Sequence, residues 1–192
     1  MTQFNKLQEL VFGKLEKELP RHLTYHNVDH TVDVMQAAGT IADRECINGN
    51  DKKLLLTAAL FHDTGFLTGR DEHEKTSCDI ARQYLPSYEY QPAEIEAICD
   101  MITATRIPQT PQSHLGEILC DADLDYLGRD DFFILSCKLF AELQAEGIVK
   151  DEDEWNIQQA EFMGEHNYFT ETSAKLHQAK KELYVKLIES KI

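Results

Sequence analysis

Ten consecutive residues, Leu54-Leu55-Leu56-Thr57-Ala58-Ala59-Leu60-Phe61-His62-Asp63, restrict this chain more than any others. They are apolar nearly all round until they end in a histidine and an aspartate. A helix of that kind has no face to offer water, so other elements must enclose it on most sides. The His-Asp pair then arrives at a buried end, where an ionised carboxylate is costly unless it is paired or holds a metal. Two readings stand at this point. Either the pair is a His–Asp hydrogen bond closing the helix end, or it is one edge of a metal site.

The enclosing elements also read as helices. Residues 3–19 place Phe4, Leu7, Val11, Leu15 and Leu19 at steps of three and four, and Pro20 ends the run. A second helix is expected over about 28–46 with Val32, Met35, Ile41 and Ala42 inward, and a third from Lys52, capped by Asn50 or Asp51, to about Asp63. Glu72 to Leu85 form a fourth, and Pro92 opens a fifth at a favoured first-turn position. Arg106–His114, with two prolines, reads as a loop, and further helices follow over about 115–127, 130–146, 152–168 and from Thr172 onward. No stretch alternates apolar and polar residues as a strand would. The 192 residues therefore predict an all-α fold, a single multi-helix bundle forming one domain over 1–192.

Charge narrows the partners. A formal net charge of −15 repels nucleic acid and anionic membrane, both of which need a basic patch. The same charge would repel a phosphate, and a bound divalent metal would cancel that locally. The first residues form no signal peptide and no apolar run is long enough to span a membrane, so a cytoplasmic protein is expected. Cys46, Cys78, Cys99, Cys120 and Cys137 include no C-x-x-C pair and read as small buried hydrophobes in a reducing compartment.

Two further segments bear on the His-Asp pair. Tyr25-His26-Asn27-Val28-Asp29-His30 lies at the mouth of the second helix, where His26 and His30, four apart, would share a helical face. Leu119-Cys120-Asp121-Ala122-Asp123-Leu124-Asp125 again sets carboxylates among core positions, with Asp123 on the face of Leu119 and Tyr126. His30, His62, Asp63 and Asp123 together would make a mixed nitrogen and oxygen site suited to zinc, manganese, iron(II) or nickel. Asp121 would orient a ligand or a water from behind.

The ordered set His30, His62-Asp63, Asp123 resembles the metal-binding residues of the HD-domain phosphohydrolases, over about residues 20–170, with the C-terminal helix about 172–192 beyond. That resemblance implies one or two divalent ions (manganese, magnesium, zinc, iron or nickel), with Asp63 bridging where there are two. Within the superfamily, Tyr25-His26-Asn27 followed by His30 looks like the Tyr-His-Asn-x-x-His of class I cyclic-nucleotide phosphodiesterases. Ala122-Asp123-Leu124 looks like their Ala-Asp-Leu, which selects Asp123 over Asp121. Glu74 matches their Glu behind the metal ligands, and Gln159 and Phe162 match their base-binding Gln and base-clamping Phe. After His62-Asp63, however, the chain reads Thr-Gly-Phe-Leu-Thr-Gly rather than Val-Asp-His-Pro-Gly. His73-Glu74 with Ser77 instead resembles the His-Glu-x-x-Ser of bacterial HD proteins, which implies a place for His73 near a second metal or the phosphate.

The activity implied is hydrolysis of a phosphodiester such as a 3′,5′-cyclic nucleotide by metal-activated hydroxide, with His26 as the general acid. The catalytic pair would be His26 and Asp63, and the partner a small phosphorylated substrate of nucleotide type. Two alternatives use the same residues: a nucleotide phosphomonoesterase, and a metal-binding regulatory module without activity. Arg70, Lys75 and Arg106 are read as surface charges and Trp155 as packing. His22 and His177 are placed at the surface, and His114 has no evident partner. His166 lines the pocket mouth or is a hydrogen-bonded core histidine.

Overall fold

The computed structural model describes residues 2–192, and no strand occurs among them. Nine α-helices follow in order: α1 Gln3–Glu18, α2 Val28–Arg44, α3 Gly49–Phe61, α4 His73–Tyr84, α5 Pro92–Ala104, α6 His114–Asp123, α7 Phe132–Ala145, α8 Glu152–Glu165 and α9 Glu171–Glu189. Short 3₁₀ turns at Thr64–Leu67, Leu85–Tyr88 and Asp125–Gly128 continue α3, α4 and α6. The all-α expectation holds. The helices fall into two units, one formed by the chain up to Pro20 with His26–Asp123, the other by Arg21–Tyr25 with Leu124–Ile192.

In the first unit α3 is the central rod. It packs on α1, α2, α4, α5 and α6. That is why its sequence shows no polar face: Leu54, Leu55, Thr57, Ala58, Ala59, Leu60 and Phe61 are all buried. Its start lies at Gly49 after Asn48, three residues before the expected Lys52. Helix α2 begins where the Asn27 side chain accepts from the backbone N–H groups of Asp29 and His30, an N-cap that satisfies otherwise orphaned donors. Its buried stripe is Thr31, Val34, Met35, Ala38, Ile41 and Ala42. Val32, expected inward, is only half-buried. It sits beside the three-and-four spacing of that stripe, and spacing decides burial over hydrophobicity. Helix α5 opens as Pro92 predicts, closed by a capping box between Gln91 and Glu94.

In the second unit the segment ahead of α2 is tied to α7. The Thr24 hydroxyl donates to the Lys138 carbonyl at 2.7 Å, and the Tyr25 N–H donates to the buried Glu142 carboxylate at 2.9 Å. Tyr126, Phe132 and Tyr184 stack in a row with planes within about 15° of parallel. Lys181, buried on α9, donates to the carbonyls of Met163 and His166 and so closes the C-terminal end of α8. Trp155 is packing, as expected: it is buried, and its indole N–H donates to Ser136.

Several surface assignments need correction. His177 is half-buried, pairs with Asp125 at 2.8 Å and lies against Gly128. His114 opens α6 and sits between Glu117 at 2.9 Å and Glu45 at 3.4 Å. Both sets of partners except Glu117 are remote in sequence, which is why periodicity does not show them. Cys78, Cys99 and Cys120 are buried, whereas Cys46 and Cys137 are exposed, and all five are free thiols. No helix among the described residues is long and apolar enough to cross a membrane.

Candidate metal centre

Three helix ends in the first unit bring four side chains to one point. His30 lies in the first turn of α2, His62 and Asp63 follow the last turn of α3, and Asp123 closes α6. Because α2 and α6 both pack on α3 and on each other, the donor groups converge by helix packing rather than by loop geometry. His30 Nε2 and His62 Nε2 are 3.2 Å apart. Asp63 Oδ2 lies 3.3 Å from the first and 3.2 Å from the second, and Asp123 Oδ1 lies 3.3 Å and 3.4 Å from them.

The His62 Nδ1–H donates to the Ala59 carbonyl at 2.8 Å. In the neutral ring Nε2 is therefore a bare lone pair, aimed at another imidazole nitrogen and two carboxylates. Two ligands of a common ion, each about 2.0–2.2 Å from it, stand roughly 3–3.5 Å apart in a tetrahedral or octahedral shell. The observed spacings match that. His30, His62 and Asp123 offer one ligand atom each, all within 4.8 Å of one another, and the buried Asp63 Oδ2 has no hydrogen-bond partner among the described residues. The residues thus fit a divalent cation, and the imidazole and carboxylate mixture suits a transition metal.

Without an ion, protons hold such a cluster together. Burial opposes charge on His30, but Asp123 and Asp63 outweigh it and hold the ring up at about 9. His62 is likewise raised against its burial by Asp63 and Asp123. Burial pushes the Asp63 carboxyl up, yet His62, His30 and His73 hold it well below the usual range. Asp123 is also low: burial opposes this, and His30 and His62 prevail.

A second layer surrounds these four. His73 Nε2 is 3.5 Å from Asp63 Oδ1 and 3.5 Å from Glu74 Oε1, while its Nδ1–H donates to the Arg70 carbonyl at 3.0 Å. Burial pulls His73 down, and Asp63 with Glu74 raises it overall. Glu74 is buried. His26 precedes the N-cap Asn27 and so lies outside α2. The shared helical face expected for His26 and His30 does not exist, but their rings still meet edge-on, with centroids 5.6 Å apart. Asp121 is fully buried on α6, two residues before Asp123 at the helix end.

Sequence reasoning noted the Thr-Gly-Phe-Leu-Thr-Gly segment after the His-Asp pair but not its packing on α4. A Cβ on Gly65 would stand 1.9 Å from the His73 carbonyl oxygen, so only glycine lets the turn lie flat on α4. The Gly65 N–H donates to Ser77 Oγ at 2.8 Å, which gives the Ser of His-Glu-x-x-Ser a structural task. The signal available was Gly65 itself, two residues after Asp63.

The remaining candidates belong to the second unit. Gln159 is buried, and its side-chain carbonyl accepts from Ser136 at 2.5 Å. Phe162 is half-buried, with its ring 6.2 Å from that of His166. Neither His166 ring nitrogen has a hydrogen-bond partner among the described residues. Burial and the nearby Lys181 push it down to about 4.

Comparison with known proteins agrees with this arrangement. A family model described as the HD domain matches residues 27–125, just over half of the chain and inclusive of all four donor residues. A curated relative from Clostridium beijerinckii, described as an uncharacterized protein, is 34% identical over 88 residues. Those residues are 44% of this chain and 54% of that one, so the chain spans about half the length of the curated relative it matches. The crystal structure of a predicted HD superfamily hydrolase from an uncultured Thermotogales bacterium superposes with a TM-score of 0.66 over 98% of this chain and 91% of that one, at 22% identity. At that identity the likeness speaks for the fold.

Proposed function

The chain belongs to the HD-domain family, and from that premise we propose that it is a metal-dependent phosphohydrolase. The observation that carries this reading is the 3.2 Å approach of His30 Nε2 to His62 Nε2 beside two carboxylates. His30, His62, Asp63 and Asp123 would hold a divalent ion. When bound, such an ion lowers the pKa of a coordinated water and neutralises charge on phosphoryl oxygens.

The chain's own residues supply the rest. Asp63 has Oδ2 toward the two imidazoles and Oδ1 toward His73, so its two oxygens can serve two neighbours at once. His26, edge-on to His30, is the group proposed to hand a proton to the leaving oxygen, a contribution of about 10²–10⁴-fold. His73 and Glu74 orient Asp63 from behind.

A phosphodiester such as a 3′,5′-cyclic nucleotide is the proposed substrate, on the likeness of Tyr25-His26-Asn27 and Ala122-Asp123-Leu124 to the cyclic-nucleotide phosphodiesterases. The contact of His73 with Asp63 favours a second reading, a nucleotide phosphomonoesterase, because an imidazole beside the donor residues is a further nitrogen donor for a phosphate. Product chromatography decides. Protein supplied with manganese is incubated with cyclic AMP, cyclic GMP and nucleoside monophosphates, with Asp63→Ala as control. Cleavage of a cyclic nucleotide that the control lacks supports the first reading, and release of phosphate from monophosphates alone supports the second. Inertness toward all of them, with metal still bound, favours a metal-binding regulatory module or a phosphoester outside the panel.

A further inference from the structure

Phe66 is 1% exposed, one residue past the turn glycine, and no substrate can reach it. Yet it touches both second-layer histidines of the metal centre. Its ring centroid lies 4.3 Å from that of His26, with planes 17° apart, and 4.3 Å from that of His73, with planes 35° apart. The Arg70 guanidinium lies 5.0 Å from the same ring. On the reading just given of His26 as proton donor, we propose that Phe66 is the positioning residue that sets the orientation of His26 and His73 around the metal centre.

The backbone around Phe66 is fixed, which is what a platform requires. Its N–H donates to the Asp63 carbonyl at 3.1 Å, so the ring is one turn from a donor residue and cannot move independently of it. The preceding Gly65 is locked to α4 by Ser77 Oγ and by its close approach to the His73 backbone. An imidazole turns about two torsions, and its χ2 well is broad. Hydrogen bonds could restrict it, but they occupy the nitrogens that must bind or transfer protons. Contact with a flat ring face restricts rotation without engaging those nitrogens. His73 shows the outcome: with Nδ1 on the Arg70 carbonyl and the ring against Phe66, its Nε2 is directed at Asp63.

Stacking is read directly by NMR of the histidine side chains, with no metal or substrate present. The ring protons of His26 and His73 are expected upfield of free histidine in the wild type, because they lie over an aromatic face. Phe66→Leu is expected to lose both shifts, and Phe66→Tyr, which keeps the ring, to retain them. In hydrolysis of bis(p-nitrophenyl) phosphate with manganese, Phe66→Leu is expected to lower kcat about 10²-fold with KM little changed and metal content intact. Phe66→Tyr restores turnover. Unshifted His26 and His73 protons in the wild type overturn the proposal, as do shifts that survive Phe66→Leu. So does wild-type kcat in a Phe66→Leu protein whose shifts are gone. If the wild type hydrolyses no phosphoester, the phosphohydrolase reading fails, while the two histidine shifts still decide the placement by Phe66.

Discussion

Replacing Gly65 with alanine adds one methyl group, and its effect can be worked from distances. The new Cβ would stand 1.9 Å from the His73 carbonyl oxygen and 2.7–2.8 Å from the carbonyl carbon and Cα. All three are backbone atoms, so no side chain can swing away. Restoring a tolerable contact needs the turn and α4 to part by about 1 Å, an overpacking cost of about 1–3 kcal/mol. That movement also stretches the 2.8 Å bond from Gly65 N–H to the buried Ser77 Oγ, and a weakened buried hydrogen bond adds about 1 kcal/mol. The sum, about 2–4 kcal/mol, corresponds to a melting temperature lower by roughly 5–15 °C in a chain of this size. Gly13 provides the contrast. It lies inside α1, and a Cβ added there would meet nothing within 4 Å, so Gly13→Ala should stabilise by about 0.5–1 kcal/mol. Calorimetry of the two variants side by side tests the reasoning: the same chemical change must act with opposite signs. Equal or higher melting for Gly65→Ala would refute the close approach of the turn to α4, and with it the account of how His73 is seated.

Metal should act as a stabilising ligand of the folded state. At about 100 times its dissociation constant, manganese should add about 2.7 kcal/mol, or roughly 5–10 °C in melting temperature, and Asp63→Ala should abolish the shift; identical melting in chelator and in every divalent metal would remove the metal centre. His26→Ala should keep stoichiometric metal by elemental analysis while turnover falls about 10²–10⁴-fold, and loss of metal would make His26 a ligand instead. His177 should give a pH-dependent contribution: burial lowers its pKa, but Asp125 raises it overall. The stabilisation is then complete below the unfolded value of about 6.5 and fades as pH rises through the higher folded value. Urea unfolding of wild type and His177→Gln at pH 5.5 and pH 9 should show the gap closing at the higher pH; a constant gap would mean that the ion pair with Asp125 contributes nothing.

What could be read from the sequence divides along a physical line. Helix α3 was legible because an element apolar on all sides has one solution, enclosure, and five helices enclose it. The His62-Asp63 pair stood out because ionisable groups at a buried helix end need partners, while the resemblance to HD-domain phosphohydrolases completed the set with His30 and chose Asp123 over Asp121; the structure brings the four together. Legibility stops where a partner is chosen by tertiary packing. His177 with Asp125 and His114 with Glu45 join residues far apart in the chain, and no local spacing encodes either. His26 fails for a different reason. Four residues from His30, it reads as a helical neighbour, but Asn27 takes the N-cap and leaves it outside the helix. Its ring meets that of His30 edge-on from outside the helix and stacks on Phe66. The stripe of α2 shows that identity and spacing can disagree: Val32 has the residue type of a core position, and Ala38 has the position.

The acidity of the chain gains a more specific meaning from the first unit. A formal charge of −15 spread over solvated helix faces works against an anionic substrate at long range, but salt screens exposed charges beyond about 8–10 Å. What a phosphoryl group would meet at contact distance is set by the buried cluster and its immediate surroundings. There Asp63 and Asp123 are answered by His30 and His62, with His73 beside Asp63 and the Arg70 guanidinium over Phe66. A divalent ion held by these four side chains would offset the two carboxylates and present a local positive centre to a phosphoryl oxygen. The electrostatics of the proposed reaction therefore depend on the occupant of four side chains, and the helix surfaces can carry any charge that solubility favours. The residues to defend against substitution are consequently those that fix the cluster's frame: Asn27 at the head of α2, Gly65 against α4, and Phe66 between the histidines.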